Sequence, residues 1–590
     1  MVNIKIFKER WIQLLIICLL TLIAYINILG NGFAWDDRDF FIDWPQIKSS
    51  QEFPAYLSLP YLLTGDVPLG HRGIYRPVRS IYYLISYSLW GENPLGYHIQ
   101  AIIVHILIVL VIYLITEQIS KKRLLAFITA TLFATHPIHT EAVTYITASM
   151  DTLGILFFFL SFYLYLKTKE AKSRRNIYLL ASVIYAFLAF FTYEMTLVLP
   201  LLIILYDFCA NKFSFKSLIP KINYYKYYIL GLASYGLVRF VILGIGNRAD
   251  YLGVDWIIAA NQARVGMPEI FAHYLWWLIW PINLTIGHDL TINLLSGFLN
   301  LLNNLDPTDR LIDLSAKIIF LFPLLYALAG IFFLYLVLRK YPLYFFGLTW
   351  IIISILPVSS IIPQGATVAE RYLYIPSFGF LLVLGLLLTN KRFSYSLILL
   401  FLVITASYIF LTVKRNTDWR DEKTIWQAVI RNNPQVSRAY TALANAYVVD
   451  KQYDEGIKIY LQSLQLNPSD AKVNSNLGLA YNLKGETDKA IAYQKKALEI
   501  NPGYANAYVI LGNIYLKQKE YDLAEKEYKK ALEIKKDDPL ILTNLGKVYY
   551  NQARYDLAIE AFKKSLSLNP NQPLVYSALE EIYKKQGAAP

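Results

Sequence analysis

Four sets of ionisable residues in this chain have types and spacings that could do chemistry. The first is Asp36-Asp37, in Asn31-Gly32-Phe33-Ala34-Trp35-Asp36-Asp37-Arg38-Asp39, just past the first apolar run. A carboxylate held at a membrane surface can act as general base on an acceptor hydroxyl, with its neighbour orienting it or raising its pKa by like-charge repulsion. The bland reading is a helix cap or a polar turn. The second set is His136-Pro137-Ile138-His139-Thr140-Glu141. Two histidines and an acid could mimic a metal site, but the spacing matches no standard zinc frame. No metal is expected, and His136, His139 and Glu141 are read as hydrogen-bonding groups for phosphate, sugar or loop. The third is Glu194, between two apolar runs, where an ionisable group is functional by default and otherwise a turn residue. The fourth is Glu370-Arg371. Arg371 can hold a phosphate bidentately with Glu370 positioning it, or can simply snorkel. Tyr75-Arg76-Pro77 adds a second arginine, Arg76, in a long first loop.

The elements that must carry these residues follow from composition. The 590-residue chain is 56% hydrophobic with mean hydropathy +0.38, too apolar for a soluble protein of this size. The apolar residues dominate from Trp11 to Val413 and fall away after Lys414, so a membrane region precedes a water-exposed one. Eleven apolar segments are candidate spans: 11–29, 97–117, 123–136, 148–167, 177–191, 193–208, 227–245, 317–338, 343–361, 371–389 and 393–413. Several are shorter than the ~20 residues a span usually needs, which implies broken or buried helices. The first is preceded by Lys5, Lys8 and Arg10 and followed by no small-residue cleavage site, so it reads as a retained helix. The formal net charge is +13, and much of the excess lies in short loops between spans. There it sets topology and argues little for nucleic acid. With the N-terminus cytoplasmic, the basic clusters at 5–10, 121–123, 167–175, 212–226, 339–340 and 391–392 all fall on one side. Asp36-Asp37, the 136–151 region, the 358–370 loop and the C-terminal region then share the extracytoplasmic face. Residues 246–314 read as mostly extracytoplasmic, with an interfacial helix at 265–283 anchored by Trp276, Trp277 and Trp280. Cys18 and Cys209 lie in or beside apolar segments and offer no disulfide framework.

From Asn433 onward the chain has a 34-residue period. Asn433-Pro434, Asn467-Pro468, Asn501-Pro502, Lys535-Lys536 and Asn569-Pro570 are equivalent, as are Leu477-Gly478, Leu511-Gly512 and Leu545-Gly546. Small residues let paired helices approach while aromatics fill the gap to the next repeat. The pattern resembles the tetratricopeptide repeat, with four repeats from about 434 to 569 and a capping helix at 573–586 bearing Glu580, Glu581, Lys584 and Lys585. Such an array presents a groove to a protein client, or serves as a scaffold. The domains are therefore 1–415 in the membrane, 416–433 as linker and first helix, and 434–590 as repeats.

No GxGxxG or GxxxxGK[ST] pattern occurs, which argues against a soluble nucleotide donor and for a lipid-linked one. The stretches Trp35-Asp36-Asp37-Arg38, Tyr75-Arg76-Pro77, Tyr97-His98 to His105, His136 to Val143, Val368 to Ser377 and Lys414-Arg415-Asn416-Thr417-Asp418-Trp419 occur in this order along the chain. Together they resemble the TMTC family, transmembrane O-mannosyltransferases with tetratricopeptide repeats. The membrane part is similar to GT-C glycosyltransferases.

The resemblance implies an all-α protein, a polytopic GT-C-type domain of about eleven membrane helices followed by a helical solenoid. It implies an inverting, metal-independent transfer of mannose or another hexose from a polyprenyl- or dolichyl-phosphate donor to Ser or Thr of an extracytoplasmic protein. The donor is a substrate, and no cofactor is expected. In that family the first acid of the pair is the base, which maps to Asp36, with Asp37 and Glu194 the other catalytic candidates. Arg371, Glu370, Arg76, His136, His139 and Glu141 are assigned to the donor, and the repeat groove to the acceptor. Tyr193-Glu194 departs from the Lys-Glu pair of the animal members. The short array and the absence of a eukaryote-type targeting signal suggest a prokaryotic cell membrane. Two other readings keep fewer of these features. One is a cell-envelope glycosyltransferase acting on a glycan or lipid, and the other a non-catalytic membrane scaffold.

Overall fold

The computed structural model describes residues 9–38, 76–170, 173–242, 267–282, 284, 322–358, 368–389 and 394–586, and every regular element among them is helical. The chain divides into two units, Met1–Ile425 and Trp426–Pro590.

The first unit is a bundle whose helices are apolar on nearly every face, as expected of helices that meet either protein or lipid all round. At its centre lie Pro94–Ser120, Arg123–Thr135, Thr152–Lys167 and Tyr374–Leu388. Helix Pro342–Ile355 crosses Tyr374–Leu388 so closely that a Cβ on Gly379 would stand 2.3 Å from the Gly347 carbonyl oxygen. The rim is apolar too. Leu15, Leu19 and Ile23 of Arg10–Tyr25, and Ile398, Leu399 and Leu402 of Ser394–Asp418, are exposed.

Each of the eleven apolar segments corresponds to a helix, but among the described residues length and composition qualify only five as spans. These are Arg10–Gly30, Pro94–Ser120, Ile146–Lys167, Glu370–Leu388 and Tyr395–Asp418. Glu194–Ala210 and Phe215–Val241 qualify only together and are bent by 119°. Four more are shorter apolar helices, among them Arg123–Thr135. That helix is buried at every position from Leu125 to Thr135, so it lives among other helices and not in lipid.

Two expectations need correction. The long first loop contains a helix, Pro77–Trp90, with proline at its first turn. Its tyrosines and serines lower its hydropathy, yet Tyr83 and Leu84 are buried while Ile85 and Leu89 face outward. The segment expected to be an interfacial helix contains the helix Met267–Ile279, but only two of the three tryptophans expected as anchors face outward. Trp276 and Trp280 are more than half exposed, whereas Trp277 is buried with His273 against its ring edge. Residues 246–266, 283 and 285–314 lie outside the described residues.

The second unit is an array of antiparallel helix pairs: Ser437–Val449 with Tyr453–Leu466, Ala471–Lys484 with Thr487–Ile500, Ala505–Lys517 with Tyr521–Ile534, and Pro539–Asn551 with Tyr555–Leu568. The last helix, Pro573–Gln586, buries Val575, Leu579 and Ile582 and leaves its four charged residues in water. The glycine of each Leu-Gly step is where the pair is tightest. A Cβ on Gly512 would stand 2.7 Å from the Tyr528 ring, and one on Gly546 2.6 Å from Phe562. The stretch 416–433 comprises the end of Ser394–Asp418 and the helix Glu422–Asn432.

Candidate active site

The first acidic pair sits on a turn that follows the 3-10 segment Ile26–Gly30. Trp35 adopts φ 55°, a left-handed backbone that costs roughly 1–2 kcal/mol for a residue with a Cβ. The neighbouring contacts fix it there. Asn31 donates to the Asn416 carbonyl at 3.0 Å and the Gly32 amide to the Arg420 carbonyl at 2.8 Å. The Trp35 ring stacks on Tyr145, which stacks in turn on Trp419. Asn416 donates to the Ala24 carbonyl and to Asn27, and accepts from Thr144, joining the first helix, the 140s and the last helix of this unit.

The two carboxylates of the pair differ. Asp37 is buried. Its Oδ1 accepts from the Thr147 amide at 2.7 Å and the Thr147 hydroxyl at 2.6 Å, and its Oδ2 from the Ala34 amide at 3.1 Å. Burial pushes its pKa up to about 7, with those three bonds pulling the other way and Asp36 adding to the rise. Asp36 is half-buried, and it acts electrostatically on the buried Tyr145 hydroxyl, whose pKa is raised well above its ordinary value by burial first and by Asp36 and Asp37 next.

Beside this turn lies a buried ionic network. Arg76 Nη1 reaches both oxygens of Asp151 at 3.0 Å, and its Nε reaches Glu194 Oε2 at 2.6 Å. Arg79 contacts Asp151 at 3.0 Å and donates to the Thr147 carbonyl at 2.8 Å. Arg239 approaches Glu194 at 3.4 Å and bonds the Tyr235 hydroxyl at 2.7 Å. The Arg76 guanidinium lies 5.0 Å over the Tyr193 ring. Burial opposes the Arg76 charge, but Asp151 and Glu194 outweigh it and raise its pKa. Thr147 ties this network to Asp37, because one residue serves both.

The motifs around 141 and 370 meet in a second ionic cluster. Glu141 accepts from the Arg371 amide at 3.0 Å and from its guanidinium, while the Arg371 guanidinium lies 5.1 Å over Tyr372. Glu370 pairs with Arg415 at 2.8 Å, and Arg415 with Asp418 at 2.9 Å. Glu370 is not the immediate partner of Arg371; each takes a carboxylate–guanidinium bond to a residue distant in sequence. Tyr193 feels both Arg76 and Arg371, so the two clusters are neighbours.

The histidines are interior. His136 accepts the Ile138 amide on Nδ1 and meets the Leu278 carbonyl at 3.2 Å through Nε2. His139 meets the Phe133 carbonyl at 2.9 Å and the Ser377 hydroxyl at 2.8 Å, and burial holds its pKa well below the ordinary value. His105 meets the Tyr374 hydroxyl. Both ring nitrogens of His136 and His139 are spent on protein groups, and no group of three His, Cys, Asp or Glu suited to a metal occurs among the described residues.

Sequence reasoning thus marked Asp36, Asp37, Arg76, Glu141, Glu194, Glu370 and Arg371 and did not single out Asp151, Arg79, Arg239 and Thr147. Arg79 carried a local signal, lying one helical turn beyond Arg76. Asp151 lies just before the helix Thr152–Lys167, a place for an acidic cap, but its side chain makes no capping bond there and turns to arginine instead.

Comparison with known proteins agrees with this organisation. A profile of the tetratricopeptide repeat matches 435–502, 469–537 and 503–571. The chain is 25% identical over 430 residues to a protein O-mannosyl-transferase of Caenorhabditis elegans, covering 70% of this chain and 57% of that one. It is 26% identical over 482 residues to the protein O-mannosyl-transferase TMTC3 of Mus musculus, covering 75% and 49%. The resemblance to TMTC-type protein O-mannosyl-transferases therefore extends over most of this chain, which spans about half the length of these relatives. Among solved structures, the crystal structure of MamA is 25% identical and covers 27% of this chain and 91% of that one, with a TM-score of 0.24.

Proposed function

We propose that this chain is a membrane glycosyltransferase that moves a hexose from a polyprenyl-phosphate carrier to Ser or Thr hydroxyls of a protein, with Asp36 as general base. The observation that carries the reading is the division of labour among three buried or half-buried acids. Asp37 spends both oxygens on Thr147 and Ala34, and Glu194 is held by two arginines. Both are turned to protein partners and not to an acceptor hydroxyl. Asp36 is half-buried and directly follows Trp35, whose left-handed backbone is the kind of over-determined position that functional sites hold.

In the reaction, Asp36 accepts the proton of the acceptor hydroxyl as its oxygen attacks the anomeric carbon and the bond to the carrier phosphate breaks. Negative charge grows on the departing phosphate. Arg371, partly exposed and shared with Glu141, and the neighbouring Arg76 supply the positive field that stabilises it. The histidine motif supports the short helix Thr140–Thr144 that carries Glu141. The repeat array holds the acceptor, raising its effective concentration without altering the chemistry.

The test is Asp36→Asn. Loss of a positioned general base costs about 10²–10⁴ in rate. Transfer should fall by that factor while the protein stays folded and still binds the lipid donor, and near-normal turnover would remove Asp36 from the mechanism. Arg371→Lys should restore only part of the rate lost in Arg371→Ala, since the bidentate fork is missing. EDTA should have little effect; strict dependence on a divalent cation would contradict the reading. Truncation after Asn433 should spare hydrolysis of the lipid donor and lower transfer to protein. No loss of either would favour a glycan or lipid acceptor. For topology, cysteines placed at Asn93 and Asn501 should be labelled from the same, extracytoplasmic side.

A further inference from the structure

We infer that Lys169 and Lys221, both held on the buried carboxylate of Asp207, bind the phosphate of an anionic phospholipid at the end of the bundle opposite the candidate active site.

Two helical stretches fix the place. Thr152–Lys167 begins beside Asp151 and ends two residues before Lys169, while Glu194–Ala210 begins at Glu194 and carries Asp207 in its last turn. One end of each belongs to the Arg76 network and the other to this cluster. A sixteen-residue helix separates the two by roughly 24 Å. The basic clusters 167–175 and 212–226 lie at the same end as Asp207.

Asp207 is fully buried. Its Oδ2 accepts from the Tyr165 hydroxyl and, at 2.7 Å, from the Tyr225 hydroxyl; its Oδ1 meets the Lys169 ammonium and, at 3.1 Å, that of Lys221. Lys221 is brought there by the turn after Ala210. In that turn Lys212 and Phe213 both adopt left-handed backbone, φ 53° and 62°, unfavourable for residues with a Cβ. The Phe213 amide donates to the Phe208 carbonyl at 2.8 Å, and the Asn211 side chain to the Asp207 carbonyl at 2.6 Å, and these bonds hold the turn.

One ammonium neutralises one carboxylate. The second leaves a positive charge over, and it is held against the repulsion of the first, because both sit on the same oxygen. The neighbouring acid, Glu170, is taken by Lys121 and Lys167 and does not balance it. An ammonium has three donors. Asp207 takes one from each lysine, and the two side chains are 29% and 22% exposed, so donors remain open to a ligand. The adjoining surface is apolar. Phe215, Ile219 and Ile222 are each more than half exposed, and Phe215 packs on Phe208, next in sequence to Asp207. A surplus cation bordered by exposed apolar side chains fits a ligand with an anionic head and an apolar tail. The phosphate sits on the two ammoniums as point charges, and an acyl chain lies along Phe215 and Ile219. A phosphodiester carries the one negative charge that matches the surplus, whereas a zwitterionic lipid would bring a cation back to the lysines.

The test is native mass spectrometry of the full-length protein released from neutral detergent and titrated with phosphatidylglycerol, with phosphatidylcholine of the same acyl chains as control. The first phosphatidylglycerol should bind about tenfold tighter than phosphatidylcholine, the effect expected of a charge-assisted hydrogen bond. Lys221→Gln removes the surplus charge and leaves the Asp207–Lys169 pair intact, so the fold is kept. It should bring phosphatidylglycerol down to the level of phosphatidylcholine, and Lys221→Arg should retain the preference. Lys212→Gln with Lys216→Gln removes two exposed charges from the same segment, and should cost less than Lys221→Gln alone. Phe215→Ser with Ile219→Ser should weaken phosphatidylglycerol as well, and glycerol 1-phosphate, a head without a tail, should not displace it. An unchanged preference in Lys221→Gln would overturn the inference. An equal loss in the Lys212 and Lys216 variant would also do so, since a diffuse positive field would then suffice. Displacement by glycerol 1-phosphate would replace the lipid site with one for free phosphate esters.

Discussion

The two units of this chain treat charge in opposite ways. In the membrane unit, the Arg76, Asp151 and Glu194 side chains are 15%, 9% and 11% exposed, and Arg415 and Glu370 6% and 0%. In the repeat unit, ion pairs such as Lys564–Asp537 stand in water at 55% and 57%. Burying a charge costs several kcal/mol unless it is paired, and even a paired one seldom stabilises more than an apolar substitute would. A bundle that needed only to fold would have used leucines. The membrane unit therefore carries buried charges that folding alone does not call for, whereas the array keeps its charges in water.

The comparison breaks most sharply at Arg76. Arg76→Ala leaves Asp151 and Glu194 without their shared cation, and truncating one partner of a buried ion pair costs about 3–5 kcal/mol. A large fall in the thermal midpoint of the detergent-solubilised protein is expected, with transfer lost. Arg76→Lys should recover part of the stability, since one ammonium cannot serve both acids with a fork. An unchanged midpoint in Arg76→Ala would show that the network contributes nothing to the fold.

How much of this was readable in advance differs between the units for the same reason. The repeats are local. Tyr481, Tyr515 and Tyr549 recur at one spacing because each repeat packs only on its neighbours, so period and pattern suffice. The membrane unit is not local. Arg76 meets partners at 151 and 194, Arg371 one at 141, and Glu370 one at 415. Sequence shows that Asp36, Asp37 and Glu194 are expensive residues, but not which of them is already spent. Helix Pro77–Trp90 reads as loop in the sequence because Ser80, Tyr82, Tyr83, Ser86 and Tyr87 dilute its apolar character, and Arg79 is hidden with it.

Asp37 sharpens the contrast through pH. Its folded pKa, about 7, lies above the ordinary 3.8, chiefly because of burial. The folded state therefore holds a proton that the unfolded chain releases. Stability from this group is complete below 3.8, falls as pH rises between 3.8 and about 7, and changes no further above that. The slope approaches ~1.4 kcal/mol per pH unit in that window. Denaturation midpoints measured across it should show the slope in the native protein and lose it in Asp37→Asn. Equal slopes in both would assign the pH response to other groups.

Within the array the weak points are steric. A Cβ on Gly512 or Gly546 would press on the Tyr528 or Phe562 ring, and overpacking of this kind costs about 1–3 kcal/mol. Gly512→Ala should lower the array's unfolding transition by that amount while leaving hydrolysis of the lipid donor unaffected. A parallel loss of both would mean that the two units unfold as one.

The smallest effect is expected where the array's charges meet water. Lys564 and Asp537 pair at 2.8 Å, and both are more than half exposed. In that setting the Coulomb gain is screened and is offset by the entropy of holding two mobile side chains, so exposed pairs contribute ~0.2–1 kcal/mol. Lys564→Ala should shift the array's transition by no more than about 0.5 kcal/mol, and added salt should remove even that difference. The same salt should leave the Arg76→Ala deficit in place, because a buried pair is screened much less. Denaturant titrations of both variants at low and high salt put the two kinds of ion pair on one scale. If the Lys564 deficit persisted in high salt, or the Arg76 deficit vanished, the distinction between buried and solvated charge drawn between the units would not hold.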